Sequence, residues 1–237
     1  MIAPSIPKYT AALSSKAGLV DETLAALRYV VGGKSEDELR FAFLQEDLLG
    51  KDTHENRLTI WKRLHQRFFV DWKQTILLAK VINWISNYDH ARLFIYYDFC
   101  LSEAILYDAV TGPVYERFSN GFSGVEISDL QTWLDSIQSE HPEVTDWSPQ
   151  TRKKVLSNVL AVLRDFGLMS GKVRKTFERV YVPATLEVTG TVMVQLDSAG
   201  TVPEVTLNEE PPAVAVVTMP MQVPPTVSGA PLTRLAG

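Results

Sequence analysis

The chain has 237 residues, of which 46% are hydrophobic and 10% aromatic, enough for one large or two small domains with a sizeable core. A single cysteine, Cys100, excludes an intramolecular disulfide and fits a reducing, cytoplasmic compartment; the opening "MIAPSIPKYTAALSSK" lacks the pattern of a signal peptide. The net charge of −5 conceals a segregation: residues 51–80 carry seven Lys or Arg against three acids, residues 150–180 carry eight against two, and residues 81–149 carry two against eleven, which points to a polyanion partner.

Taken in chain order, "VDETLAALRYVV" reads as a short helix ended by Gly32-Gly33. "SEDELRFAFLQEDLLG" opens on a capping box, Ser35 with Glu38, and stops at Gly50. "THENRLTIWKRLHQRFF" places Leu58, Trp61, Leu64 and Phe68 on one stripe, and its opposite side is read as carrying Arg57, Lys62, Arg63 and Arg67. "WKQTILLAKVINWISNY" and "ARLFIYYDFCLSEAILYDAV" are apolar on nearly all sides, so the spacing predicts two central helices of a bundle. Their apolar runs are shorter than the ~20 residues that span a bilayer, and Lys80 or Asp98 interrupts them, so no membrane insertion is expected. "TGPVYERFSNG" allows one short helix with Pro113 in its first turn. "ISDLQTWLDSIQSEHP" reads as a helix with a Ser128/Gln131 capping box, closed by Pro142.

The segment "SPQTRKKVLSNVLAVLRDFGLMSGKVRKTFERVYVP" spans residues 148–183. Ser148 is an N-cap, Pro149 the first helical residue, and Gly167 the C-terminal turn. At ~100° per residue, Val155, Leu156, Val159, Leu160, Leu163 and Phe166 form one face, expected to pack against Leu130, Trp133, Leu134 and Ile137. The other face presents Gln150, Lys154, Ser157 and Ala161, flanked by Lys153, Asn158 and Arg164; the small residues at 157 and 161 leave room for a partner. Arg152, Lys153 and Lys154 stand in the first turn, where the helix dipole disfavours cations by a few tenths of a kcal/mol each. A bound phosphate repairs that mismatch. "KVRKTFERVYVP" reads as a basic strand or hairpin, and helix, turn, basic helix and basic β element is the layout of a winged helix.

Chemistry-bearing motifs are scarce. "GGKS" at 32–35 fails as a P-loop, because the required upstream glycine is Arg28 and the loop follows a helix. Cys100 sits in an apolar helix and reads as packed. His54, His65, His90 and His141 do not pair at ligand spacing, so neither metal nor cofactor is expected. Asp98 and Glu103 are five apart and read as satisfied polar residues at helix contacts. No catalytic constellation forms, which argues against an enzyme with a small-molecule substrate. After Pro183 the composition changes: residues 183–237 hold eight of the thirteen prolines and a single basic residue, Arg234. "TLEVTGTVMVQL" is a possible hairpin, and an extended or disordered tail is expected from about residue 203.

Three stretches, "YTAALSSKAGLVDETLAAL", "NRLTIWKRLHQRF" and "WSPQTRKKVLSNVLAVLRDFGLMSG", resemble the BrxA family of bacteriophage-exclusion (BREX) defence systems over roughly residues 8–183. That resemblance implies an all-helical core similar to the NusB antitermination factor. It also implies a cytoplasmic, non-enzymatic protein that binds double-stranded DNA and serves beside other BREX subunits. The expectation is therefore an all-α chain: a NusB-like bundle over 8–120, a winged-helix-like unit over 121–183, and a Pro/Val-rich tail over 184–237. Charge placement nominates Arg57, Lys62, Arg63, Arg67, Arg152, Lys153, Lys154, Arg164, Lys172, Arg174, Lys175 and Arg179 as nucleic-acid contacts. The alternatives are an adaptor that docks its basic faces on partner subunits, and RNA binding in the manner of NusB.

Overall fold

Caps and turns cut the chain into short helices, as the computed structural model shows for residues 8–51, 53–172 and 174–180. The expected tail and its hairpin lie outside the described residues. A 3-10 turn at Ala11–Ser14 precedes α1 (Val20–Val30) and α2 (Glu36–Leu44). The Ser35–Glu38 capping box is present and holds the Glu38 carboxyl down at about 2, first through the Ser35 amide. Next come α3 (His54–Phe68), capped by Thr53, and α4 (Trp72–Trp84), capped by Asp71. Then follow α5 (Tyr88–Ser102), α6 (Ala104–Ala109), a π-type turn at Val110–Val114, and α7 (Tyr115–Ser119). The chain continues through α8 (Ile127–Ser136), a 3-10 turn at Pro142–Asp146, and α9 (Pro149–Asp165). The described part closes with an antiparallel pair, β1 (Met169–Ser170) and β2 (Thr176–Phe177), with Met169 opposite Phe177. The described residues thus form an all-α bundle with one minimal hairpin.

One apolar core runs through the described residues. α5 contributes Leu93, Phe94, Ile95, Tyr96, Phe99 and Cys100, all buried. α1 packs on α4 and α5, α3 on α2 and α5, and α8 on α9. The aliphatic face of α9 is buried as its periodicity requires, with Leu130 and Leu134 of α8 buried beside it. At ~25 cal/mol per Å² of apolar surface, each fully buried Leu or Phe stabilises the fold by about 2 kcal/mol. No helix among the described residues is long and apolar enough to cross a membrane.

Four expectations change. The segment 91–110 is not one helix: the chain turns extended at Glu103 (φ −126°, ψ 93°), whose side chain is buried and accepts from the Thr10 hydroxyl at 3.4 Å. α4 is not central. Lys73, Ile76, Lys80 and Trp84 form its outer stripe, and Trp84 is 60% exposed. The capping contact of α8 falls two residues earlier than expected, with the Glu126 amide donating to Asp129 at 2.8 Å, and the helix ends at Ser136 well short of Pro142. The β element begins at Met169, earlier than expected, so residues 171, 172, 174 and 175 lie between its strands rather than in one.

Candidate nucleic-acid interface

Helix α3 uses most of its cations internally. Arg67 is only 7% exposed. Its two terminal nitrogens donate at 2.7 Å to the carbonyls of Ala17 and Lys16, and its guanidinium lies 4.2 Å above the Phe99 ring centre. Burial pulls the guanidinium down to about 10. The reason for the clamp is local. Lys16 sits at φ +60°, an uncomfortable value for a side chain with Cβ, and Arg67 fixes that turn against α3. Arg57 is half-buried and pairs with Asp47 at 3.4 Å. Arg63 donates to the Ser15 hydroxyl at 2.8 Å and to Gln66 at 2.9 Å. Lys62 alone of the four is exposed with no side-chain partner among the described residues. The expected basic face of α3 is therefore corrected: the core extends further round this helix than its Leu–Trp–Leu–Phe stripe, because Ile60 is buried as well.

The cations at the start of α9 divide in the same way. Arg152 turns back to Asp135 of α8 at 3.3 Å, with its side chain largely buried. That ion pair accounts for one of the three charges at the unfavourable helix end. Lys153 and Lys154 are exposed and have no acid partner among the described residues. The small-residue face is partly occupied by the chain itself. The Asn158 amide donates to the Leu13 carbonyl at 2.6 Å, and Asp165 accepts from the Gly18 amide at 3.2 Å. Ala161 lies between them on that stripe, so the N-terminal segment takes the place expected for a partner. Arg164 is exposed but forked onto Asp165, with contacts at 3.1 and 2.6 Å.

At the far end of α9 the hairpin exposes its charges. Lys172, Arg174 and Arg179 are exposed, and Lys175 is half-buried with only a long 3.5 Å bond to the Lys172 carbonyl. None of the four pairs with an acid among the described residues. Gly171, at φ +89°, makes the tight turn and leaves no space for a Cβ beside the Arg174 carbonyl. The hairpin is fastened to the loop before α8. The Phe177 amide donates to the Ser123 carbonyl at 2.9 Å, Phe177 meets Phe118 edge-on at 5.5 Å, and Gly124 is pressed against the Lys175 carbonyl. From Lys154 to Phe166 the helix rises roughly 20 Å at 1.5 Å per residue. The free cations thus form two groups, one at each end of α9.

Other polar clusters are internally committed. The Tyr9 ring stacks on His141 at 3.6 Å, its hydroxyl donates to Asp108 at 2.7 Å, and its amide donates to Glu143 at 2.7 Å. Burial and Asp108 push the Tyr9 hydroxyl up, and the Tyr9 amide holds the Glu143 carboxyl down. This cluster pins the N-terminal segment to the helices near residues 108 and 141. His65 meets Glu36 at 3.0 Å. Cys100 is fully buried, and burial pushes its thiol up to about 12, so it offers no thiolate. A cavity of about 680 Å³ opens beside the α5–α6 junction and is lined by Thr10, Ser102, Glu103, Tyr107 and Asp108. Arg67 also lines it, with both terminal nitrogens spent on carbonyls.

The BrxA family model matches residues 7–189, most of the chain, including α9 and the hairpin. Among solved structures the fold is similar to that of an uncharacterized protein from Magnetospirillum magneticum. The TM-score is 0.63 at 16% identity, over 82% of this chain and 94% of that one. At that identity the likeness speaks for the fold alone. Among curated proteins nothing matches the chain.

Proposed function

Because the chain belongs to the BrxA family, and is thereby a component of a BREX phage-defence system, we propose that it is a non-enzymatic, double-stranded-DNA-binding accessory protein. The observation that carries this reading is the set of cations left without acid partners around α9: Lys153, Lys154, Lys172, Arg174, Lys175 and Arg179. Long, without acid partners and all but Lys175 exposed, they suit phosphates rather than base edges, so binding is mainly electrostatic and weakly sequence-specific. α9 followed by the short hairpin acts in the manner of a winged helix, the helix end and the turn each touching backbone. If each of the six meets one phosphate, the log–log salt slope is about −5.

The test is a salt-titrated binding assay with Lys153→Glu, Lys154→Glu, Arg174→Glu and Lys175→Glu combined. Loss of duplex binding with an unchanged melting temperature supports the reading, and unchanged binding sinks it. Competition between duplex DNA and structured RNA separates it from NusB-like RNA binding. One feature favours a second reading as an adaptor for other BREX subunits. The outer stripe of α4 combines Ile76 and Trp84 with Lys73 and Lys80, and Val70 nearby is 75% exposed. Co-purification that survives nuclease and high salt, and fails with Trp84→Ala, favours the adaptor.

A further inference from the structure

Phe122 stands at the tip of the loop between α7 and α8, 50% exposed. It is not a stray apolar residue. The Arg117 guanidinium lies 3.9 Å from its ring centre, covering one face. Arg117 is itself held in place: its Nε donates to the Gly124 carbonyl at 3.3 Å, and its Nη1 meets Asp129 at 3.3 Å. The ring is thus positioned by a stack on one face, while half of the residue remains exposed. Ser123 and Gly124, the next two residues, are the ones that clasp the basic hairpin. Two residues span at most about 7 Å of chain, so the backbone of Phe122 lies within that reach of the Gly124–Lys175 contact, at the base of the turn that carries Lys172 and Arg174.

A positioned aromatic ring next to unpaired cations is the combination that grips nucleic acid whose bases are open. The cations take the phosphates and the ring takes a base face. An intact duplex offers no such face, because its bases are stacked on one another, and a phenyl ring gains nothing from phosphate. Accordingly, we propose that Phe122 stacks on an unpaired base of the bound DNA, so that the hairpin site prefers a fork or single-stranded junction to continuous duplex. This rests on the DNA-binding reading above and specifies its substrate.

The experiment compares the full chain on two labelled DNAs of equal duplex length: a fully paired, blunt-ended duplex, and a forked duplex. The wild-type protein binds the fork about tenfold more tightly. Phe122→Ala abolishes that preference while leaving blunt-duplex affinity within about twofold, and Phe122→Trp retains it. The ring is half-exposed, so its removal leaves the fold intact, which the melting temperature checks. The proposal is overturned if the wild type shows no preference, if Phe122→Ala keeps it, or if both DNAs lose affinity equally. It is likewise overturned if a forked RNA binds more tightly than forked DNA. Charge reversal at Arg174 and Lys175 separates the two layers. If that variant still binds both DNAs, the DNA-binding reading itself fails. If it loses binding to both while Phe122→Ala changes nothing, only the stacking contact fails.

Discussion

Helix α3 carries Arg57, Lys62, Arg63 and Arg67, and the hairpin carries Lys172, Arg174, Lys175 and Arg179. The charge density is similar, yet the fold treats the two sets in opposite ways. In α3 the arginines turn inward and meet a carboxylate, a hydroxyl and two carbonyls. In the hairpin none of the four pairs with an acid among the described residues, and Lys172, Arg174 and Arg179 are exposed. A run of cations therefore has two physical meanings. A planar guanidinium can staple loops to a helix, since its five donors satisfy carbonyls that the turn would otherwise orphan. A cation that satisfies nothing inside the protein is available to something outside it.

The sharpest way to break this comparison is Arg67→Ala. It removes a buried cation, uncovers the Phe99 ring and strands the carbonyls of Lys16 and Ala17. Stability should fall by about 3 kcal/mol, the range for breaking a buried, hydrogen-bonded charge site. Urea unfolding measures it, and DNA affinity per folded molecule should stay the same. The reverse pattern is expected for Lys172→Glu, Arg174→Glu, Lys175→Glu and Arg179→Glu combined. Duplex affinity should fall by about a hundredfold at low salt and the salt slope should flatten by ~3–4, with no loss of stability. Should the α3 change weaken DNA binding and the hairpin change spare it, the division between staple and contact is the wrong way round.

How much of this was legible varies by element, for physical reasons. The bounds and the aliphatic face of α9 were readable, because Ser148, Pro149 and Gly167 punctuate it and its aliphatic period is unbroken; what covers its other face was not. α4 misled, because its composition is apolar while burial depends on what covers it; Ile76 and Trp84 face outward. The break at Glu103 has no glycine or proline to announce it. Its buried side chain meets Thr10, 93 positions away, a contact no local pattern contains. The mismatch of cations with the helix dipole singled out residues 152–154 as a group. Only the structure separates Arg152, whose acid lies on α8, from Lys153 and Lys154. Phe122 was missed altogether. Its one signal was an aromatic residue stranded among turn formers in "SNGFSG".

Smaller effects sharpen the same division. Arg57→Ala and Arg63→Ala each remove a half-buried cation from partly satisfied contacts. Each should cost about 1 kcal/mol of stability, with no change in salt slope. A slope that drops by about one unit in either variant moves that arginine from staple to phosphate contact.

The smallest effect tests what holds the Arg67 staple. Burial raises the Glu103 carboxyl above its usual range, against the opposing pull of Arg67 and of the Thr10 hydroxyl. The folded protein therefore binds this proton more tightly than the unfolded chain does. The stability contributed by this group is fully present below the unfolded carboxyl value and is lost as pH rises through the folded one. Above that range the group is a net cost, because burial works against its charged form. Glu103→Gln keeps the shape and the acceptor for Thr10 but removes the charge. Its melting temperature should rise by about a degree at pH 7 and stay level near pH 4. A fall at pH 7 instead means that Arg67 depends on this carboxylate. In that case the α3 staple is a buried ion pair rather than a cation held by carbonyls and an aromatic face.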